Sequence, residues 1–213
     1  MRTIVFATHK GGCGKTTLAT CLAVAAQEAG ESVIIFDLDP KSCAIRWGSK
    51  RMDCNLPVRT LAFARLSSAL TAAAKRKVTL VVIDTPVLES PAALAAVKTA
   101  DLTIVPTRPS AFDIWVAEVT GRRMSFMNER FAFLLNQCPP QRRSRNMRDS
   151  IASLKAIGPL LEPQIGVSRR FLKAAATGKG VTEIDPTGEA AHAEALARHQ
   201  TRAILNTRPQ ISR

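Results

Sequence analysis

Three glycines, two lysines and two threonines lie within nine residues near the start of the chain, in the segment HKGGCGKTT, His9–Thr17. Glycines allow the backbone to curl so that successive N–H groups point inward and cradle phosphate oxygens. Lys15 can reach the β- and γ-phosphates of a nucleotide, and the Thr16 hydroxyl can ligate Mg²⁺. The segment therefore predicts a nucleotide-binding loop. Its predicted contacts are Gly11, Gly12, Cys13, Gly14, Lys15, Thr16 and Thr17.

The residues on either side of this segment have the patterns of a strand and a helix. Thr3–Ala7 is an apolar run that predicts a buried strand, whereas Leu18–Ala29 is rich in Ala and Leu, lacks Gly and Pro, and predicts a helix. Strand, glycine-rich turn and helix form the context that a phosphate-binding loop requires, and the positive end of the helix dipole would lie near Lys15. A plain glycine-rich turn with a capping threonine is the alternative, which this context disfavours.

Two further buried strands are each followed by carboxylates. Val33–Phe36 precedes Asp37 and Asp39, and Val78–Ile83 precedes Asp84. Because ligands bind at the carboxyl edge of parallel strands, we expect these side chains to face the phosphate-binding loop. Asp39 is placed to act on Mg²⁺ or on an attacking water, and for Asp37 the capping of a turn is an open alternative. The predicted metal ligands are Thr16, Asp37 and Asp84, since Mg²⁺ requires oxygen ligands.

Two more apolar runs, Leu102–Pro106 and Phe131–Leu135, predict further strands. Asn136 follows the second of them, and an amide at the carboxyl edge of a sheet can pair with adenine because it offers both a donor and an acceptor. A turn asparagine that precedes Pro139 is the alternative. Leu160–Ile165 is predicted to return to the sheet, and a terminal helix is predicted from His192 to about Leu205. The alternation of strands and helices predicts an α/β fold with a doubly wound, mainly parallel sheet flanked by helices on both faces.

Length and composition favour one domain. A chain of 213 residues with 46% hydrophobic content can bury one good core, so we expect a single domain over residues 1–213 with a frayed tail at 206–213. No apolar run reaches the length of a membrane span, and there is no room for a secretory signal before the first strand. The five cysteines are scattered, which is typical of reduced thiols. These features predict a cytoplasmic protein.

The formal net charge is +13, and residues 142–173 contribute much of it, because eight basic residues there face only Asp149 and Glu162. The basic residues fall on two predicted helices, Arg142–Ile157 and Val167–Ala176. Such a balance favours a polyanion, either nucleic acid or an anionic membrane surface, whereas a solvated basic face without a ligand is the alternative. The predicted DNA contacts are Arg142, Arg143, Arg145, Arg148, Arg169, Arg170 and Lys173.

Together these motifs resemble the ParA/MinD family of ATPases, whose phosphate loop is a deviant Walker A sequence with an additional lysine. Lys10 occupies the position of that lysine in KGGCGKTT. The segment Asp37–Pro40 resembles the family's DxDPQ, with Lys41 in place of the glutamine. VVIDTP resembles its Walker B strand, and residues 106–113 match its pattern P-x-x-P-S-x-x-D. The resemblance covers essentially the whole chain and is weaker after residue 140.

The resemblance implies a P-loop NTPase fold, ATP or ADP and Mg²⁺ as cofactors, and a weak ATP hydrolysis that a partner stimulates. It implies that Lys10 crosses a dimer interface to the nucleotide of the other subunit, that Asp39 supports hydrolysis and that Asn136 recognises adenine. The predicted helix Ala111–Met127 would help to form the dimer face, although an amphipathic helix that packs on its own sheet gives the same pattern. Catalytic roles are thus predicted for Lys10, Lys15 and Asp39.

By the same resemblance, an ATP-dependent homodimer would bind DNA without reading its sequence, and a ParB-type adaptor or centromere-binding protein would trigger hydrolysis and release. Plasmid or chromosome partition is the expected process, in a cytoplasmic, nucleoid-associated protein without a stable membrane anchor. Three alternatives stay open: positioning of a protein assembly, membrane cycling like that of MinD, and the chemistry of a metabolic relative such as an ATP-dependent ligase or amidase. Membrane cycling is disfavoured because the C-terminal residues lack an apolar amphipathic helix.

Overall fold

The structure is a computed structural model that describes residues 1–52, 55–141, 144–188, 190, 191, 201 and 203. Most of the predicted terminal helix that begins at His192 lies outside these residues, as does the predicted tail 206–213. Two of the predicted DNA contacts, Arg142 and Arg143, also lie outside them.

Seven strands of the described chain pair in parallel into one sheet, in the order β3-β2-β4-β1-β5-β6-β7. The strands are β1 (Arg2–Phe6), β2 (Val33–Asp37), β3 (Val58–Thr60), β4 (Leu80–Asp84), β5 (Leu102–Thr107), β6 (Phe131–Leu135) and β7 (Leu160–Leu161). β1 lies at the centre, between β4 and β5, and the chain builds the sheet outward on both sides of it. The predicted doubly wound parallel sheet is therefore confirmed.

Helices cover both faces of the sheet, which explains why the central strands are continuous apolar runs. They are α1 (Lys15–Glu28), α2 (Cys43–Gly48), α3 (Leu66–Lys75), α4 (Pro91–Thr99), α5 (Ala111–Phe126), α6 (Arg145–Lys155), α7 (Arg169–Thr177) and α8 (Val181–Ile184), with a 3₁₀ turn at Phe63–Arg65. Side chains of α1 and α2 pack on one face together with Phe171 of α7, whereas α3, α4, α5 and α6 pack on the other. The two helices that carry the predicted DNA contacts, α6 and α7, thus lie on opposite faces.

In the part of the chain that the structure describes, no helix is both long enough and apolar enough to span a membrane.

β7 and α8 differ from the sequence-based expectation. The predicted strand Leu160–Ile165 is reduced to its first two residues, and Pro163 interrupts it because proline has no N–H for the ladder. Pairing resumes beyond the proline, where the Ile165 N–H donates to the Leu135 carbonyl at 2.8 Å. The sequence does not predict α8, because four residues are too few to display a helical period.

The loops that follow β1, β2, β4, β5 and β6 meet at the carboxyl edge of the sheet. Backbone hydrogen bonds tie them to one another: the Leu38 N–H donates to the Asp84 carbonyl at 3.0 Å, and the Leu88 N–H donates to the Thr8 carbonyl at 3.1 Å. The candidate nucleotide residues, although spread over more than 120 positions of sequence, are therefore gathered along one edge.

Candidate nucleotide site

The phosphate-binding loop connects β1 to α1, and two of its glycines adopt left-handed backbone conformations. The φ angle is 78° at Gly12 and 92° at Gly14, a region that residues with a Cβ atom enter only at a cost. α1 begins at Lys15, and its first turn has neither a side-chain cap nor an acidic residue. The N–H groups of that turn are thus available to an anion, which the positive end of the helix dipole also favours.

Lys15 stands at the first position of α1, and its side chain extends back over the loop. Its Nζ donates to the carbonyl of Lys10 at 3.5 Å, which is long for a hydrogen bond between these groups. A phosphate oxygen in the loop would be a stronger acceptor because it is charged. The geometry therefore agrees with the predicted role of Lys15 as the counter-charge of the phosphates.

Asp84 ends β4 and is completely buried next to Thr16. The Thr16 hydroxyl donates to Asp84 Oδ2 at 2.6 Å, while Oδ1 is buried without a hydrogen-bond partner among the described residues. Burial, and to a lesser extent the nearby charge of Asp37, raise the pKa of Asp84 to about 7 against the lowering effect of the Thr16 hydrogen bond. A buried carboxylate oxygen without a partner, beside a hydroxyl, fits Mg²⁺. The ion would supply positive charge to the phosphates, and Thr16 and Asp84 would hold it directly or through water.

The two carboxylates that follow β2 have different surroundings. Asp37 is fully buried, and its oxygens accept hydrogen bonds from the N–H of Asp39 at 3.0 Å and of Ile45 at 3.2 Å. Burial raises the pKa of Asp37, and these hydrogen bonds oppose the rise. The geometry favours the turn-capping interpretation of Asp37 over a direct metal contact. Asp39 is partly exposed on the same turn, where Oδ1 accepts from the Lys41 N–H at 2.9 Å, so it remains the candidate that orients a water.

Two amides that follow β6 brace the phosphate loop. Asn136 donates through Nδ2 to the Cys13 carbonyl at 2.9 Å, and Gln137 donates through Nε2 to the Gly12 carbonyl at 3.0 Å. A Cβ atom at Gly14 would collide with the Asn136 amide, so this position requires glycine for a second reason besides its φ angle. The sequence analysis did not identify Gln137, because a single glutamine carries no spacing signal.

A cavity of about 290 Å³ opens beside the loop, between the end of β6 and α7. Asn136 and Gln137 line one side of it, and Arg169 and Leu172 of α7 line another. Its apolar and polar walls and its position next to the phosphate cradle suit the base and ribose of a nucleotide. That Asn136 contacts adenine stays a prediction, since its Nδ2 group already binds the loop.

His9, at the start of the loop, joins it to α5. Its Nδ1 lies 2.7 Å from the Thr120 hydroxyl, and that hydroxyl donates to the Val116 carbonyl at 2.8 Å. The hydroxyl is therefore the acceptor from His9, which assigns the ring proton to Nδ1. Nε2 lies 3.8 Å from Glu89 in the loop after β4. Burial lowers the pKa of His9, partly offset by Glu89, so the ring is neutral near pH 7.

Lys10 of the phosphate loop is bound to α5. Its ammonium forms an ion pair with Asp113, which lies in the first turn of α5 and is almost completely buried. The same carboxylate accepts from Arg108 Nε at 2.8 Å and from the Ser110 hydroxyl at 2.6 Å. The structure thus brings together Lys10 and the segment that matches P-x-x-P-S-x-x-D.

The predicted DNA contacts do not form one continuous patch. Arg145 and Arg148 belong to α6 on one face of the sheet, whereas the other three described residues, Arg169, Arg170 and Lys173, belong to α7 on the opposite face. On α7, Arg169 borders the cavity and Arg170 forms an ion pair with Asp185. A sum of charge along the sequence does not reveal this separation, because it contains no information about which face each helix covers.

The described chain combines a central parallel sheet with a glycine-rich loop after β1, a threonine at the start of α1 and a buried aspartate at the end of a neighbouring strand. These features together define the P-loop nucleotide-hydrolysing fold. The chain belongs to the family of CobQ/CobB/MinD/ParA nucleotide-binding domains, whose model matches residues 4–181. The resemblance of the sequence to ParA/MinD ATPases is therefore confirmed, and the fold is that of this family's ATPases.

Among its relatives is the maintenance of carboxysome distribution protein A of Halothiobacillus neapolitanus, which is 27% identical over 198 residues, 89% of this chain and 90% of the relative. A chain of the MinC:MinD cell division protein complex of Aquifex aeolicus shares the fold with a TM-score of 0.81 and 15% identity, over 95% of this chain and 96% of the other. MinD of Pyrococcus horikoshii, solved with Mg-ADP, has a TM-score of 0.76 and 18% identity, over 96% and 97% of the two chains. The two solved structures show that the chain shares the fold of MinD over nearly its whole length.

Lys15→Ala and Asp39→Ala should separate binding from turnover. Lys15→Ala removes a charge-assisted phosphate contact, so we expect ATP affinity to fall at least tenfold in a binding assay with a fluorescent nucleotide. Asp39→Ala leaves the phosphate loop intact, and it should keep ATP affinity within about threefold while losing most hydrolysis. Hydrolysis at the rate of the unaltered protein in Asp39→Ala would show that this carboxylate does not orient the water.

The buried Asp84 should make the nucleotide- and metal-free protein pH-sensitive. Its pKa is about 7 in the folded protein and about 4 when unfolded, so the folded state binds more protons between these values and stability falls as pH rises through that window. Asp84→Asn should remove this contribution and raise the free energy of unfolding by about 1–3 kcal/mol at pH 8, with a smaller difference at pH 5. Urea unfolding with EDTA at both pH values measures it. Asp149→Asn, on an exposed carboxylate of α6, is the control, and an Asp84→Asn variant that gains nothing at pH 8 would contradict the assignment.

Proposed function

We propose that this protein is an ATP-driven molecular switch that dimerises on binding ATP and positions a cargo along DNA. The observation that carries the proposal is the ion pair of Lys10. Its ammonium is bound to Asp113 of α5, and its side chain is 35% exposed. A lysine in this loop that does not serve its own nucleotide is available to the nucleotide of a second copy.

The nucleotide half of the switch uses the residues at the carboxyl edge of the sheet. Lys15 and the N–H groups at the start of α1 would bind the phosphates of ATP, and Thr16 and Asp84 would hold Mg²⁺. The Mg-ADP bound to MinD of Pyrococcus horikoshii supports this pairing of ligands. Asp39 would orient the attacking water, and hydrolysis would be weak until a partner protein stimulates it.

An exposed apolar stripe on α5 supports the dimer. Phe112, Trp115 and Val119 follow a helical spacing and are 71%, 59% and 60% exposed, and the two aromatic rings pack edge to face at 5.4 Å. The stripe begins one residue before Asp113, the partner of Lys10. Closing two subunits face to face along this edge would bury the stripe and bring each Lys10 towards the other nucleotide.

We expect DNA to contact α7 and not α6, the other basic helix. α7 carries Arg169, Arg170 and Lys173 and no acidic residue, and Lys50 and Lys179 lie at its C-terminal end. On α6, by contrast, Arg145 faces Asp149 and Lys155 pairs with Glu162. Arg170 of α7 is paired with Asp185, whereas Arg169 and Lys173 have no ion pair among the described residues. Such cations suit phosphate oxygens, and binding to phosphates is independent of base sequence.

The name of the Halothiobacillus relative favours a protein assembly of the carboxysome kind as the cargo. Positioning of a protein assembly is one of the alternatives that the sequence left open. The expected partition of a plasmid or chromosome through a ParB-type adaptor has no such support here. An adaptor bound to the assembly would stimulate hydrolysis, and the protein would reside on the nucleoid in the cytoplasm. A deletion strain separates the cargoes: uneven spacing of the assembly with normal plasmid inheritance supports the first, and the reverse result the second.

Lys10→Ala should abolish the ATP-dependent dimer. Because Lys10 lies outside the cradle, the variant should bind ADP as a monomer with an affinity within about threefold of the unaltered protein. Sedimentation velocity with Mg²⁺ and a non-hydrolysable ATP analogue measures the dimer. A Lys10→Ala protein that dimerises normally would rule out the cross-subunit role.

Binding to DNA should depend on ATP, tolerate any sequence and fall steeply with salt, with a slope of roughly −0.9 in log affinity per phosphate neutralised. Lys173→Glu on α7 should weaken it at least tenfold without affecting the dimer, and this residue avoids the cavity that Arg169 borders. Arg145→Glu on α6 is the matched control and should have a much smaller effect. If only Arg145→Glu weakened binding, DNA would contact α6. If the unaltered protein failed to bind DNA with ATP, the positioning mechanism would be wrong.

A further inference from the structure

A single buried carboxylate binds two cations at the edge of the nucleotide site. Asp113 has a side chain that is 1% exposed, and its Oδ1 is paired with the Lys10 ammonium. Arg108 contacts both oxygens, with Nε 2.8 Å from Oδ2 and Nη2 3.3 Å from Oδ1. Burial raises the pKa of Asp113, but the hydrogen bonds from Lys10, Ser110 and Arg108 outweigh it and the net pKa is lowered. The carboxylate is therefore ionised and needs a cation.

The proposed switch requires Lys10 to leave this carboxylate. To reach the nucleotide of a second subunit, its ammonium must break the ion pair with Asp113. Removing one partner of a buried ion pair is strongly unfavourable when the remaining charge is left unpaired. If Lys10 were the only cation at Asp113, the pair would hold the protein in its monomeric form.

We propose that Arg108 is a positioning residue that keeps Asp113 paired when Lys10 departs, and thereby permits the ATP-bound dimer to form. This inference rests on the proposed function, because it presupposes that Lys10 moves to the other subunit. Among the described residues, the hydrogen bonds of the Arg108 side chain go to the Asp113 carboxylate. Arg108 acts on the nucleotide only through the release of Lys10.

The two cations differ in the way that this role requires. Arg108 presents a planar fork that matches a carboxylate, and it lies in the short connection between β5 and α5. That connection is fixed, since Asn146 donates to the Pro109 carbonyl at 2.8 Å and the Thr107 hydroxyl donates to the Asp113 carbonyl at 3.1 Å. Lys10 has a flexible stem and precedes the exposed glycines of the phosphate loop. Arg108 is therefore suited to stay paired with Asp113, whereas Lys10 can leave it.

The test measures the dimerisation constant by sedimentation with Mg²⁺ and a non-hydrolysable ATP analogue. Arg108→Gln leaves Lys10 as the only charged partner of Asp113 among the described residues, so the dimer should weaken at least tenfold. Asp113→Asn removes the charge that retains Lys10, so the double variant Arg108→Gln/Asp113→Asn should regain the dimer to within about threefold of Asp113→Asn alone. Arg108→Lys keeps a cation at the carboxylate and should dimerise almost normally.

Two controls separate this role from a purely structural one. ADP binding to the monomer should be unchanged in every variant, and Arg76→Gln, the same loss of charge at the C-terminal end of α3, should leave the dimer unchanged. If Arg108 only stabilised the start of α5, the double variant would be weaker than either single one. That result, or an Arg108→Gln protein that dimerises normally, would overturn the proposal.

The same experiment distinguishes failure of the inference from failure of the proposed function. An unaltered protein that stays monomeric with the ATP analogue would overturn the proposed function and this inference with it. An unaltered protein that dimerises, together with an Arg108→Gln variant of equal affinity, would overturn only the role of Arg108.

Discussion

The site depends on backbone N–H groups that the protein leaves without internal acceptors. α1 starts at Lys15 without a side-chain cap, directly after Gly14 in the left-handed conformation. A helix with an uncapped amino end carries unpaired donors and a partial positive charge, so an anion is favoured there. The fold places this end at the centre of a parallel sheet, where neighbouring strands deliver their polar residues. Asn136 and Gln137 hold the loop beside these donors in place, and Lys15 adds a positive charge for the anion.

The loop that displays these donors is held by residues distant in sequence. Gln137 and Asn136 bind its carbonyls from one side, and His9 ties its first residue to Thr120 on the other. A glycine-rich loop has high conformational freedom, and ordering it only when the ligand binds would reduce affinity. The braces act on carbonyl oxygens, which leaves the N–H groups for the phosphates. The loop is therefore held in place by its carbonyl groups while its N–H groups stay accessible to a ligand.

Local pattern explains what the sequence predicted correctly. A short window of sequence is enough to predict the apolar run before the glycines, the helix after Lys15 and the aspartate at the end of β4. Such elements are indicated by hydrophobic periodicity and by the positions of glycine and proline. The braces were not predictable, since His9 and Thr120 are 111 positions apart and Gly12 and Gln137 are 125 apart. Asp37 is an intermediate case. The sequence predicts its position after the second strand, but only the folded turn shows that backbone N–H groups donate to its oxygens. The separation of α6 from α7 likewise depends on how the chain crosses the sheet through β7.

α7 borders both the cavity beside the phosphate loop and the basic surface. Its first turn borders the cavity through Arg169, so a ligand there would contact the same helix that carries Lys173. Its other end is anchored to α2, because the Trp47 indole donates to the Lys179 carbonyl at 3.1 Å and Lys50 donates to the Ala176 carbonyl at 3.2 Å. α2 in turn begins at the turn that Asp37 caps beside Asp84. A ligand can shift a protein only through contacts that differ between its states. In this fold a ligand can act on α7 from both ends, directly through the wall of the cavity and indirectly through α2. α6 lies on the opposite face of the sheet, away from the cavity and from α2.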